Sequence, residues 1–440
     1  MQFEYKKRHL DNGLCVIGVE NRALHLFAAS VRVHAGPRFE PQGQTGLTHF
    51  LEHMILQGSR GFPTSRDVLR AVEAVGGVID ACTHPEALEL YVGVHRKHWR
   101  RGLEVLIDSL LNPLFDEKEV EQEKHIVTQE LAETRDERGR SICAGELVYS
   151  LMFKEEVDEL GARGSKEIID GFTRGLVVGQ YEQFLHPRNM VVSLAGGLDF
   201  DEVLEKLAAT LGAMPADKPL PHLRRCEVAR RRARAIYRAT ERTPVVDMEL
   251  SYSGFGLGDE RFGAMVAAAH ILGGGLSSRL FTRVREELGL VYDVTSVAMT
   301  YSDTGSLNVM LSSDAASLVQ AAEAVRGVIR EFRDAGVSDD EMERYKENVR
   351  CGMDIMCDRP QHLAEWLGNQ ELLLRPEHLM TPHEFAAKQE GLTKERMAEV
   401  LAELLKDSES NLAVVGPLGK REANELRKLF PAEEVEISDR

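Results

Sequence analysis

The chain is predicted to fold as two homologous α+β halves, and three observations carry the prediction. In the first half, strand-like segments come first and helix-like segments follow in runs, which argues for α+β. An offset of 222 residues takes Phe115-Asp-Glu-Lys-Glu-Val-Glu-Gln-Glu-Lys-His-Ile-Val127 onto Val337-Ser-Asp-Asp-Glu-Met-Glu-Arg-Tyr-Lys-Glu-Asn-Val349, and that offset is close to half of the 440 residues. Chance similarity between two acidic helices would not explain the agreement of offset and length. Near the middle, Met214-Pro-Ala-Asp-Lys-Pro-Leu-Pro221 holds three prolines in eight residues and reads as an extended linker. The expected division is a first domain over 1–213, a linker over 214–235 and a second domain over 236–440, both of ordinary domain size.

The elements follow in order. Leu14–Val19 and Leu26–Val33 read as strands between turn signals. Leu47, Phe50, Leu51, Met54 and Ile55 surround a helix that must be mostly buried. Ser65–Val75, Trp99–Leu111 and Glu117–Leu131 have the period of amphipathic helices, and Ala81–Val94 reads as a pair of strands. Asn112-Pro113 ends one helix, and Asp116 starts the next as N-cap, with Glu119 completing a capping box. In the second half, Gly273-Gly-Gly275 lacks the lysine and spacing of a phosphate-binding loop and reads as a helix-entry turn. A helix is expected over Ser278–Glu287, capped by Gly289, with a strand starting at Tyr292.

Composition excludes several classes. No apolar run is long enough to span a bilayer, and Met1–Leu10 lacks the apolar core of a signal peptide. Six cysteines, at 15, 82, 143, 226, 351 and 357, form no close pair and read as reduced thiols of a cytoplasmic protein. A formal charge of −17 disfavours nucleic acid and anionic membranes. The run Arg224, Arg225, Arg230, Arg231, Arg232 and Arg234 then reads as a solvated linker against an acidic body.

The chemistry is concentrated in His49-Phe-Leu-Glu-His53. Helix positions i, i+3 and i+4 share one face, so His49, Glu52 and His53 stand together. Two imidazoles one turn apart can hold zinc, and the neighbouring carboxylate can move protons. The order H-x-x-E-H is the inverzincin signature. The bland alternative is a solvated helix face with incidental histidines, and the apolar neighbours disfavour it. Catalytic zinc usually takes three protein ligands and keeps one position open. Candidates for the third stand on Glu117–Leu131, where Val120, Val127 and Leu131 form an apolar stripe with Glu123 and Glu130 on the same side. Carboxylates facing a core need a partner, either a buried cation or a metal.

With Glu130 lying 77 residues beyond His53, this arrangement resembles the pitrilysin/insulinase family of zinc metallopeptidases, in its short two-domain branch. Gly46–Ser59 and Leu110-Leu-Asn-Pro-Leu-Phe115 are similar to the family as well, and the resemblance covers nearly the whole chain. It implies that each domain is a mostly antiparallel sheet with helices packed on one face. It implies one zinc per chain on His49, His53 and Glu130, Glu52 as the general base that activates zinc-bound water, and Glu123 as a support of the site. Arg285 and Tyr292 match an Arg and a Tyr that bind substrate near the scissile carbonyl, where a cation and a phenol stabilise a developing oxyanion. Gly273, Gly274 and Gly275 would line the substrate route.

Ala81, Cys82 and Thr83 would pair with substrate backbone as an edge strand. Here the sequence departs from the family: Asp80 replaces an Asn and Cys82 an aromatic residue, while Glu86 matches a common acid. Asp158-Glu-Leu-Gly161 stands where a His-Pro-rich segment is expected. The function implied is a zinc endopeptidase acting on short or unfolded peptides. Two domains reproduce the family's closed chamber only by pairing, so a homodimer is expected, with Arg285 and Tyr292 serving the other protomer's zinc. The alternatives are a non-catalytic structural or peptide-binding subunit, or an active subunit needing a distinct partner.

Overall fold

Each half of the chain builds a six-stranded sheet. The computed structural model describes residues 4–41, 43–153, 164–216, 218–221 and 232–438. Asp158–Gly161 and Arg224, Arg225, Arg230 and Arg231 of the arginine run lie outside the described residues. The first sheet contains β1 (Lys6–His9), β2 (Cys15–Glu20), β3 (Leu26–Val33), β4 (Val78–His84), β5 (Ala87–His95) and β6 (Met190–Gly196). Its order is β1-β2-β6-β3-β5-β4, and every pair is antiparallel except β2 with β6.

The second sheet contains β7 (Arg234–Ala239), β8 (Val246–Gly254), β9 (Asp293–Thr300), β10 (Gly305–Ser313), β11 (Ser410–Gly416) and β12 (Glu434–Ser438). Its order, β12-β7-β11-β8-β10-β9, repeats the first from β2 to β4. The outermost strand differs. The N-terminus supplies it in the first sheet, antiparallel to β2, and the C-terminus supplies it in the second, parallel to β7.

The unbroken apolar run of β2 has a direct explanation. Successive side chains of a strand point to opposite faces. Val16 enters one core, together with Phe27, Ala29, Val31 and Val33 of β3 and the helices Leu47–Ile55, Ser65–Glu73, Trp99–Leu111 and Glu117–Glu133. Cys15, Ile17 and Val19 enter another, against Leu363, Ala364 and Leu367 of the helix Pro360–Leu374. The first sheet's own helices therefore cover one face, and a helix from the far half of the sequence covers the other.

That second face also buries charge. Arg32 donates to Glu89 at 2.5 Å and to Asn369 at 2.5 Å, and Ser30 donates to the other Glu89 oxygen at 2.6 Å. The helix comes so close that a Cβ on Gly368 would stand 2.4 Å from the Ser193 hydroxyl. The second sheet is treated in the same way: the helix Ala144–Phe153, from the first half of the sequence, packs on β8 and β11.

The compact units consequently exchange segments. One comprises Met1–Leu131, Asp158–Arg225 and Cys351–Phe385, and the other Ala132–Val157, Cys226–Arg350 and Ala386–Arg440. Among the described residues, no helix is long and apolar enough to cross a membrane.

Candidate metal centre

The helix Leu47–Ile55 starts at Gly46, whose φ of 90° is the left-handed conformation that glycine adopts without strain. Leu47, Phe50, Leu51, Met54 and Ile55 go into the core. The period of 3.6 then leaves His49, Glu52 and His53 together on the remaining face, each partly buried. The two imidazoles stand edge to face with centroids 4.7 Å apart. One donor atom from each of the three residues lies within 4.8 Å of the others.

The carboxylates come from Glu117–Glu133. Asp116 starts that helix by accepting from the Lys118 N–H at 2.8 Å. Val120, Glu123, Val127 and Leu131 are its buried residues. The chain between the two helices is pinned by a short antiparallel bridge, Ser59 to Pro113. The Arg60 N–H donates to Asn112 at 3.0 Å and the Leu114 N–H to Gly58 at 3.1 Å. Asp108 reinforces the bridge by accepting from the Ser59 hydroxyl and the Gly61 N–H.

Across this junction Glu130 Oε2 lies 3.8 Å from His49 Nε2 and 3.7 Å from His53 Nε2. Three ligands of a tetrahedral zinc, each ~2.0–2.1 Å from the metal, stand ~3.3–3.4 Å apart. The donor set is nitrogen, nitrogen and oxygen, and the two separations from Glu130 exceed that spacing by a few tenths of an ångström. The residues fit zinc.

Glu123 does not share this position. It is 2% exposed, and its Oε2 lies 3.1 Å from His53 Nδ1, the ring nitrogen that faces away from Glu130. Gln57 donates to its other oxygen. This is the arrangement that fixes a ligand imidazole's tautomer, with Nδ1–H donated to a carboxylate and Nε2 left free to bind. Gln57 was not anticipated from the sequence, and it lies two residues beyond the end of the helix, where helical spacing does not place it.

Burial pulls the His53 pKa down, but the Glu123 hydrogen bond and the surrounding carboxylates outweigh this and hold it above the ordinary value. Burial pushes the Glu52 carboxyl above its ordinary range, with Asp80 adding to the effect, while Thr83 and His53 pull the other way.

Thr83 belongs to β4, the outer strand of the first sheet, whose far edge pairs with no described strand. Ala81 and Thr83 are half-buried, and Asp80 and Cys82 are exposed. Glu86 sits in the turn to β5, paired with the buried Arg38.

The second half repeats the frame: β3 (from Leu26) and β8 (from Val246) start 220 residues apart, and β4 (from Val78) and β9 (from Asp293) 215 apart. The helix Phe262–Gly273 therefore stands in the second half where Leu47–Ile55 stands in the first, and of the motif's residue types it carries only His270. The 222-residue offset takes His49–His53 onto Ile271–Gly275, past the middle of that helix, and Glu130 onto Gly352. Gly273 has a packing reason to lack a side chain, since a Cβ there would lie 2.4 Å from the Ser296 nitrogen of β9. Gly274 and Gly275 are exposed. The segment read as an ordinary helix over Ser278–Glu287 takes the wider π-helical form over Phe281–Glu287, closed by Gly289 at a φ of 63°. Arg285 stands on it, stacked over Phe281 and 3.7 Å from Asp293. Tyr292 is 58% exposed, and its N–H donates to Ser312 at 2.8 Å, next to β9. Arg285 and Tyr292 belong to the second compact unit, and the zinc-type donors to the first.

Comparison with known proteins places these features in a group. The model of the insulinase (peptidase M16) family matches residues 16–159, and that of the peptidase M16 inactive domain matches 171–349. An uncharacterized zinc protease of Streptomyces coelicolor is 28% identical over 428 residues, spanning 96% of this chain and 91% of its own. The uncharacterized zinc protease YmxG of Bacillus subtilis is 26% identical over 373 residues, spanning 84% and 88%. Among solved structures, a protease from Helicobacter pylori superposes with a TM-score of 0.85 at 17% identity, covering 95% of this chain and 100% of that one. A peptidase M16 inactive domain from Pseudomonas fluorescens gives 0.83 at 18% identity, covering 94% and 98%.

Proposed function

This chain belongs to the insulinase family of M16 peptidases, and we propose that within it the protein is a zinc-dependent endopeptidase acting on short or unfolded peptides. The observation that carries the reading is the convergence of His49, His53 and Glu130 from two helices, with Glu52 beside them. The equivalent helix of the second half, Phe262–Gly273, carries only His270 of the motif's residue types, so the frame does not require the full set for folding.

His49, His53 and Glu130 would hold the zinc, which would supply a Lewis acid that makes water easier to deprotonate near neutral pH. Glu52 accepts the proton of the attacking water and delivers it to the leaving amine, so one water is consumed and the amide becomes an acid and an amine. Partial burial suits that role, because a carboxylate with a raised pKa is a stronger base and a usable acid. Glu123 holds His53 in the tautomer that presents Nε2. The open edge of β4 would take an extended peptide alongside Ala81, Cys82 and Thr83, with the Ala81 N–H first released from the Asp80 carboxylate that it now meets. The carboxylate of Asp80, exposed beside them, favours peptides with a nearby cation.

Arg285 and Tyr292 complete the site across a homodimer, hydrogen-bonding the carbonyl that is attacked. The test is metal analysis of the purified protein together with digestion of a mixed peptide pool. One zinc per chain and internal cleavages that vanish with a chelator and with Glu52→Gln are expected. Cleavage at the wild-type rate by Glu52→Gln would overturn the mechanism.

A further inference from the structure

We infer that Glu40 is a positioning residue for the zinc site: its buried carboxylate caps the helix Leu47–Ile55 and thereby sets where His49 and His53 stand. The inference rests on the zinc reading above. The first turn of a helix has N–H groups with no partner inside the helix, and a side chain at the N-cap usually takes one of them. Here the N-cap is Gly46, which has no side chain to offer. Glu40, six residues upstream, takes over. Its Oε2 accepts from the Gly46 N–H at 2.8 Å and its Oε1 from the Thr48 N–H at 2.6 Å. A carboxylate at this end of a helix also meets the positive end of the helix dipole.

The clamp is enclosed. Glu40 is 2% exposed and Thr48 is fully buried. The Thr48 hydroxyl faces the same carboxylate and accepts from Gln180 Nε2 at 2.9 Å, which ties the clamp to the helix Arg174–Phe184. His49 directly follows the clamped residue, and His53 lies one turn on. Glu130 stands on a different helix. A slip of the motif helix therefore moves both imidazoles together and changes both of their separations from Glu130. Metal–ligand distances tolerate only ~0.2 Å, so even a small slip is felt as lost affinity.

A merely structural cap would behave differently, lowering thermal stability and leaving the metal alone. The experiment measures the zinc Kd of folded Glu40→Gln by competition with a chelator, with thermal unfolding of the zinc-free protein in parallel. Glu40→Gln turns one acceptor into a donor that opposes a backbone N–H. The control is Glu341→Gln, which breaks the pair with Arg279 in the second compact unit. The Glu40 variant should bind zinc ~10–100-fold more weakly, the range seen when groups behind metal ligands are changed. The control should lower stability with zinc affinity within about twofold of wild type. If Glu40→Gln does not fold, Glu40→Asp is measured instead, since its shorter side chain cannot reach both N–H groups. A zinc Kd within about twofold of wild type in the folded Glu40 variant would overturn the inference. Absence of zinc binding by the wild type would instead overturn the zinc reading itself.

Discussion

If the proposed zinc site holds, replacing Glu123 should separate the atoms that would bind zinc from the atoms that would aim them. Glu123 touches His53 Nδ1 at 3.1 Å and receives Gln57 on its other oxygen, while Glu130 faces both Nε2 atoms. Glu123→Gln leaves one acceptor and one donor. The Gln57 amide can turn over to present its oxygen to the new donor, so the geometry is recoverable and mainly the charge is lost. Glu123→Ala leaves the His53 Nδ1–H without this acceptor and opens a small cavity in a site that is 2% exposed. Changes behind metal ligands typically cost ~10–100-fold in affinity, or ~1.4–2.7 kcal/mol. The amide variant should fall near the lower end and the alanine variant near the upper. Chelator competition gives the zinc Kd of each, and peptide turnover at saturating zinc tells whether the misaimed site still works. A Glu123→Ala protein with a zinc Kd within about twofold of wild type would refute the reasoning. So would complete loss of zinc from Glu123→Gln, because Glu123 would then be a ligand.

Three further outcomes are expected. His49→Ala, His53→Ala and Glu130→Gln should each lose zinc, while Glu52→Gln should keep it and lose turnover; metal analysis beside a peptide assay checks both. Glu249, on β8, is 6% exposed and accepts from Asn308 at 2.9 Å, and burial pushes its carboxyl up to about 7. Because that value lies above the ordinary 4.5, the stability it contributes is full below about pH 4.5 and is lost as pH rises through about 7. Glu249→Gln, always neutral, should gain on the wild type by up to roughly 3 kcal/mol at pH 8 and by little at pH 5; a gap in urea unfolding that ignores pH would refute this. Glu52→Gln and Arg285→Ala/Tyr292→Phe proteins should each be nearly inactive, and co-expression should restore part of the activity; confirmed mixed dimers without recovery would count against completion in trans.

The metal-type motif was readable because it is local. One helical turn places His49, Glu52 and His53 on a common face whatever surrounds the helix, and the apolar residues between them show which face is inside. The second helix was readable for the same reason, as acids on the side of an apolar stripe. Periodicity alone did not separate Glu123 from Glu130. The family resemblance pointed to Glu130, and the structure sets the two against different nitrogens of His53. Gln57 and Glu40 were not picked out. The partners of Glu40 are backbone N–H groups, which carry no sequence signal, and Gln57 is defined by a carboxylate 66 positions away.

The segment Leu14–Val19 was legible as a strand, but nothing local says what buries each of its faces. The distant cover is Pro360–Leu374 for the first sheet and Ala144–Phe153 for the second, each drawn from the opposite half of the sequence. The duplication was visible as a repeat of pattern, but the exchange of helices was not, because a repeat records what each half resembles and not what it packs against. What the amino-acid order determined by itself is whatever depends on neighbours within a few turns: the two α+β halves, the strand alternation, the zinc-type face. What the tertiary structure decided is which surfaces meet, since apolar burial is non-directional and many helices could satisfy a given sheet face. Only the packing of the whole chain selects Glu130 for the two imidazoles, Glu40 for an uncapped helix and a distant helix for each open face.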